Sequence, residues 1–348
     1  MADITTYEDA LNPLPPNNNG AVIYMEDIRD LYVSGSLSAP SHIAIRHRKS
    51  IPGGWSTRIL ADDYIYGDFE GRISLDYRNI LTRIFDFQDQ YEYTDDMIRT
   101  GIERITIIIG WDYYYFSIMP GSSAIKERMT DIDYLAVPED TTICLPLYQK
   151  ADGTSRKYSI GIVSDGRYMK LKDGTIGSDT ENIKYEWIRI SELPKTNAPF
   201  QFVYRTSGTS DGLQEQEIRS TIYEIIEGTY QHYMFVDRLG GFSVFPMNGA
   251  LELNPEYEFE NAEYSSSRAK INGSGSSVFT QYTGGLTRKA MAALSDMLLS
   301  DHIYRKTGEY WQRIIIDNAD MPVNTGDSLQ FGSFSFRYAG DLVLPDIL

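Results

Sequence analysis

Along most of the chain, apolar and polar residues alternate with the period of two that marks β-strands. The clearest exception lies in the last third. There Leu286, Ala290, Leu294, Met297 and Leu298 recur at three- and four-residue steps, which places them on one helical face and predicts a helix over Leu286–His302. A strongly apolar hairpin precedes it. Tyr233–Val236 and Phe242–Phe245 flank the loop Asp237–Gly241, whose glycines suit a tight turn. Two closing strands follow, Trp311–Asp317 and Leu329–Tyr338. In the second of these the apolar parity changes at Gly332-Ser333, as a bulge would cause.

The first half repeats the β pattern in shorter pieces. Arg104–Gly110 is almost continuously apolar and β-branched, and reads as a central strand covered on both faces. Trp111–Met119, Ile143–Tyr148, Tyr158–Val163 and Glu186–Ile190 read as further strands, and Asp152-Gly153, Asp165-Gly166 and Asp173-Gly174 as hairpin turns between them. Phe200–Tyr204 is a strand, and Ile218–Ile226 fits strand or helix. Tyr24, Ile28 and Leu31 fit a helical turn, as do Tyr77, Leu81 and Ile84 after the strand-like Gly71–Asp76. The fold class expected is mainly β with minor α, built as tandem sandwich- or barrel-like domains with one helix on a C-terminal sheet. Residues 1–20, with Pro13, Pro15, Pro16 and Asn17–Asn19, read as a polar arm. The polar stretch Leu193–Pro199 carries two prolines and places a boundary near 195, between an N-terminal domain of 21–195 and a C-terminal domain of 196–348. Ser265–Ser277, rich in Ser and Gly, reads as a loop able to order on assembly.

Composition narrows the partners. The formal net charge of -17 argues against nucleic acid or an anionic membrane as partner, because either needs a basic surface. No stretch of about 18 apolar residues predicts a membrane span. The single cysteine, Cys144, sits in an apolar run and reads as a buried, inert thiol. The start Met1-Ala2-Asp3-Ile4 lacks the basic and apolar runs of a signal peptide, so the cytoplasm is expected unless a leader was removed.

Candidate chemistry is sparse. The chain has no P-loop, no H-E-x-x-H, no G-x-S-x-G and no C-x-x-C, so no catalytic residue, cofactor or metal site is expected. His42 and His47 lie an odd number of positions apart on a strand and face opposite sides, and His302 reads as a partner of the helix C-terminus. The carboxylate pairs Asp62-Asp63, Asp95-Asp96, Asp131/Asp133 and Glu139-Asp140 could support glycan cleavage only by meeting across a cleft, and Asp in such loops usually caps turns. Tyr is abundant, at 26 residues, which suits strands and interfaces. Alternation places Tyr113 and Tyr115 on one strand face and Tyr114 and Phe116 on the other. With Trp111 they form a candidate interaction surface.

The segments Phe235–Phe242, Leu294–Asp301, Trp311 with Ile314–Asp317, and Leu329 with Phe334–Ala339 resemble structural proteins of tailed bacteriophages and prophages of Bacteroidales, and the layout is similar to distal-tail and baseplate components. The resemblance implies a virion component that forms rings or sheaths through β-rich domains. Its partners would be copies of itself, as a cyclic homo-oligomer, and neighbouring tail proteins. In that setting Ser265–Ser277 and the bulge at Gly332 would face a partner. The rival expectation is a secreted or surface carbohydrate-binding module that uses Trp111–Tyr115 or Trp55 against a host-surface glycan.

Overall fold

The computed structural model describes residues 4–6, 22–24, 31–34, 39–51, 54–68, 72–75, 81, 92–93, 103–110, 112–119, 121–149, 156–176, 182–196, 198–207, 216–264, 267–322 and 328–340. In chain order the strands begin with β1 (Ile4–Thr6), β2 (Val22–Tyr24), β3 (Leu31–Ser34), β4 (Ser41–Ile51), β5 (Gly54–Ile65), β6 (Arg72–Leu75), β7 (Glu92–Tyr93), β8 (Glu103–Ile109) and β9 (Asp112–Met119). They continue as β10 (Tyr134–Pro138), β11 (Thr142–Gln149), β12 (Arg156–Ser164), β13 (Arg167–Ile176), β14 (Asn182–Arg189), β15 (Phe200–Ser207) and β16 (Gln216–Ile226). The last are β17 (Gln231–Val236), β18 (Phe242–Met247), β19 (Leu251–Tyr264), β20 (Ser267–Tyr282), β21 (Ile303–Thr307), β22 (Tyr310–Asp320) and β23 (Ser333–Tyr338). The helix α1 (Arg288–Leu298) lies between β20 and β21. The protein is mainly β with minor α, and its sheets are sandwich-like.

The strands form a five-stranded sheet in the order β2-β9-β8-β4-β5, a second in the order β10-β16-β15-β12-β13, and a pair, β11-β14. An eight-stranded sheet runs β18-β17-β21-β22-β23-β20-β19, with β7 added beside β22. A small sheet, β1-β3-β6, completes the set. The place of β8 at the centre of its sheet is the one its β-branched run requires, and Ile105, Ile107 and Ile108 are all buried. The segments around Tyr24 and Leu31, whose spacing also fits a helical turn, form strands, and Ile218–Ile226 resolves as strand β16. Leu81 is helical and buried, while Tyr77 and Ile84 lie outside the described residues.

The hairpin β17–β18 stands as its sequence predicts, and the cause of its unbroken apolarity is visible. Tyr233, Phe235, Phe245 and Met247 face the main core. Met234, Phe242 and Val244 face a second cluster with Cys144, Tyr304 and Trp311. Both faces of the hairpin are therefore buried, so neither strand alternates. Helix α1 closes the main core with Ala290, Met291, Ala293, Leu294 and Met297. It is shorter than its periodic pattern. Thr287 caps the N-terminus by accepting from the Ala290 amide, and Leu286 instead exchanges backbone hydrogen bonds with Gln330. At the other end the chain turns to place Ile303 opposite Phe235.

Three further expectations are corrected. Asp173-Gly174 is no turn but lies inside β13, where Gly174 lets the Tyr158 ring lie against the backbone; an added Cβ would come within 2.8 Å of it. The parity change at Gly332-Ser333 marks the start of β23, and the bulge lies in its partner β22, between Ile316 and Asn318. The Ser/Gly segment after 265 is strand β20, paired with β19 from Tyr264↔Ser267 to Leu251↔Gln281. That register sets Tyr257 opposite Gly275 and Phe259 opposite Gly273. The boundary near 195 is crossed by a hydrogen-bonded sheet, since β12 pairs with β15 along its length and β10 with β16. Asp165-Gly166 forms the expected tight turn, both residues having positive φ. Asp152-Gly153 and residues 7–20 lie outside the described residues.

Candidate functional site

The first candidate surface is the arm made by β19 and β20. Among the described residues, only Phe279–Tyr282 of this ribbon pairs with the rest of the sheet, opposite Ser333–Phe336 of β23. Among the described residues the remainder pairs only with itself. From Asn254 to Tyr264 it extends by about 35 Å at a strand rise of about 3.3 Å per residue. Glu252, Leu253, Asn254 and Pro255 at its base are exposed. Ser265 lies outside the described residues, and Ser277 is half-buried within β20.

The second is the outer face of the β2-β9-β8-β4-β5 sheet. Tyr115, Thr106, Arg46 and Ile59 are direct cross-strand neighbours in β9, β8, β4 and β5, and so form one row on one face. Its ends are open, with Tyr115 at 42% and Ile59 at 56% exposure. The edge strand β5 also leaves Tyr64 exposed. Tyr113 and Tyr114 lie in β9, and Trp55 in β5, with side chains outside the description. Trp111 lies outside the described residues. Gly332 is half-buried and closely packed. Thr283 donates its amide to Gly332 O, and a Cβ at Gly332 would meet Met321 and the Asp320 backbone. The exposed neighbours are Leu329 and Phe331.

The third is a groove of about 470 Å³ across β12, β13 and β15. Lys157 lies directly opposite Thr175 on one side and Ser207 on the other; Ser159 lies opposite Asp173 and Arg205. Direct partners in antiparallel strands project to the same face, so these six line one surface. Tyr168 lies over Gly161, where an added Cβ would come 2.5 Å from its ring, and its hydroxyl donates to Ser159 Oγ. The Arg205 guanidinium stacks 4.1 Å from the Tyr168 ring centre and donates through Nε to Glu217. Lys170 pairs with Asp173. Behind the groove, burial pushes the Glu186 carboxyl up, but hydrogen bonds and charge from Lys172 and Lys184 outweigh it and hold the group below its usual value. None of this is legible before the strands are paired, because the six residues come from three separate segments.

The titratable residues singled out in sequence are dispersed. His42 bonds Asp62 at 2.6 Å, and His47 bonds Glu103 at 2.6 Å on the other face of β4. Asp131 pairs with Arg128, and Asp63 caps the Tyr64 amide. Asp95-Asp96 lies outside the described residues. His232 Nε2 lies 3.0 Å from Thr141 Oγ1 and 3.6 Å from Asp140 Oδ1. Both partners meet the same ring nitrogen, so Asp140 cannot orient the ring for Thr141 in the manner of a triad. Burial lowers the His232 pKa. Cys144 is buried. No group of three His, Cys, Asp or Glu converges as a metal site among the described residues, and no helix there is long and apolar enough to cross a membrane.

A position the sequence did not mark is Asp237. Its carboxylate is buried at the turn of the β17–β18 hairpin and accepts hydrogen bonds from the Leu239 and Gly241 amides and from Ser243 Oγ. Burial pushes its pKa up to about 7, against the pull of those donors. Tyr185 donates to Gly240 O in the same loop. These contacts fix the turn.

No family model and no curated protein matches the chain. Among solved structures, the calcium binding domain CBD12 of CALX1.1 aligns over 60% of this chain and 97% of its own, at 10% identity and a TM-score of 0.20. CBD12 from CALX1.2 covers 59% of this chain and 98% of its own, at 10% identity and a TM-score of 0.18. The plexin A4 extracellular region covers 91% of this chain and 38% of its own, at 9% identity and a TM-score of 0.20. Scores this low carry no argument about function.

Proposed function

We propose that the chain is a structural subunit that works by contact with other subunits, in a phage-like tail. The observation that carries the reading is the β19–β20 arm, a long ribbon whose distal part is paired only with itself among the described residues. A two-stranded ribbon alone is marginally stable in water, and a neighbouring subunit laid along it would add contact. The open row Tyr115–Ile59 on the other sheet gives a second face, and a ring needs two complementary faces per subunit. The sequence resemblance to distal-tail and baseplate proteins supports the tail setting, with the virion as its place and copies of itself and neighbouring tail proteins as partners. No chemistry is assigned to the chain. Sedimentation across a concentration series tests the reading: the sedimentation coefficient rises as a closed oligomer forms. A single species of monomer size throughout, with glycan bound through the Tyr115 face, would replace this reading with that of a surface adhesion module.

A further inference from the structure

We infer that the groove across β12, β13 and β15 is a binding site for an acidic sugar. This rests on observations separate from the arm and stands whether or not the chain assembles.

The volume of about 470 Å³ falls within the roughly 300–1,000 Å³ typical of small-molecule sites. Its charge runs against that of the whole chain. The lining holds the cations Lys157, Lys170 and Arg205 and the carboxylate Asp173, a net of three minus one, or +2, which the Glu217 carboxylate on Arg205 lowers to +1, on a protein of net charge -17. Within the groove these cations offset the repulsion that the acidic chain as a whole exerts on an anion. Lys157 is exposed and has no carboxylate partner among the described residues. Arg205 is already positioned. Glu217 takes its Nε–Nη2 edge and Tyr168 its face, which leaves the Nη1 donors for a ligand.

The remaining lining selects among anions. Ser159, Thr175 and Ser207 supply hydroxyls on that face; Ser159 Oγ accepts from Tyr168 and Ser207 Oγ donates to Lys157 O, and their remaining donor or acceptor capacity suits a polyol. A bare inorganic anion leaves most of them unused. A uronic acid or sulfated sugar satisfies both sets, with its acidic group on Lys157 and Arg205 and its hydroxyls along the strand hydroxyls.

Calorimetric titration of the full chain tests this with oligogalacturonate and a sulfated oligosaccharide, against a neutral oligosaccharide of the same length and against sodium sulfate. Lys157→Ala and Arg205→Gln serve as variants. Both side chains lie on the sheet surface, and a melting curve on each variant checks the fold. The expected result is binding of at least one acidic oligosaccharide, weakened about tenfold or more by each variant, as for loss of a charge-assisted contact. The neutral sugar and sulfate bind far more weakly. The inference is overturned if neither acidic oligosaccharide binds, if the folded variants bind as the parent does, or if sulfate alone competes equally.

Discussion

Gly121 lies against the backbone of Leu239 with no room for a Cβ atom, and it does so at φ +76°. The turn before the short 3-10 helix Ser123–Lys126 is thereby locked to the loop of the β17–β18 hairpin. Gly121→Ala must both adopt a left-handed backbone and displace the loop. The expected loss is about 3 kcal/mol of stability by chemical denaturation. At Gly166, also at positive φ but with open space around it, Ala should cost only about 1 kcal/mol.

Asp237 in the same loop gives a pH signature. Its folded pKa is raised from 3.8 to about 7, so the folded state holds the proton more tightly than the unfolded chain. Its contribution to stability is complete below pH about 4 and is lost as the pH rises through about 7. Asp237→Asn keeps an acceptor for the Leu239 and Gly241 amides and removes the titration. Stability measured from pH 4 to 8 should therefore fall more steeply in the parent than in this variant. Asp237→Ala should cost about 3 kcal/mol near pH 4, because it strands buried donors, and progressively less as the pH rises through about 7.

Tyr233 and Gln281 form a buried polar contact inside the main core. The Tyr233 hydroxyl donates to Gln281 Oε1 at 2.8 Å, and Gln281 Nε2 donates to Gly249 O and Tyr282 O. Tyr233→Phe leaves a buried acceptor without its donor and should cost about 1–3 kcal/mol in a denaturant melt. Because Gln281 sits at the base of the arm, the loss should also raise amide exchange in β20 near Phe279–Tyr282.

Leu294 is fully buried on α1 within the main core. Leu294→Ala should destabilise the protein by about 2–5 kcal/mol, whereas Leu299→Ala, just past the helix and 77% exposed, should change stability by less than about 0.5 kcal/mol.

How much of this was legible in sequence depends on range. The helix, the β17–β18 hairpin and the Asp165-Gly166 turn are local patterns, and all three stand. The long strands β19 and β20 were missed because Ser and Gly carry a loop signature of their own, and only the cross-strand partner 251–264 turns them into a ribbon. Gly174 shows the same limit: beside Asp173 it reads as a turn, and only the Tyr158 ring above it explains why it is glycine. The groove was invisible for a related reason. Lys157, Thr175 and Ser207 are ordinary polar strand positions until two hydrogen-bonded registers set them side by side. Alternation alone marks Trp111–Tyr115 as a candidate surface, and Tyr115 is exposed.

The most direct test of assembly through the arm is mass photometry, backed by light scattering, at micromolar concentration. The full chain is compared with a variant in which residues 255–277 are replaced by a short Asn-Gly turn. The account predicts a defined oligomer for the full chain and a monomer with an unchanged melting temperature for the trimmed one. A trimmed variant that assembles as the full chain does, or a full chain that stays monomeric at every concentration, would contradict it.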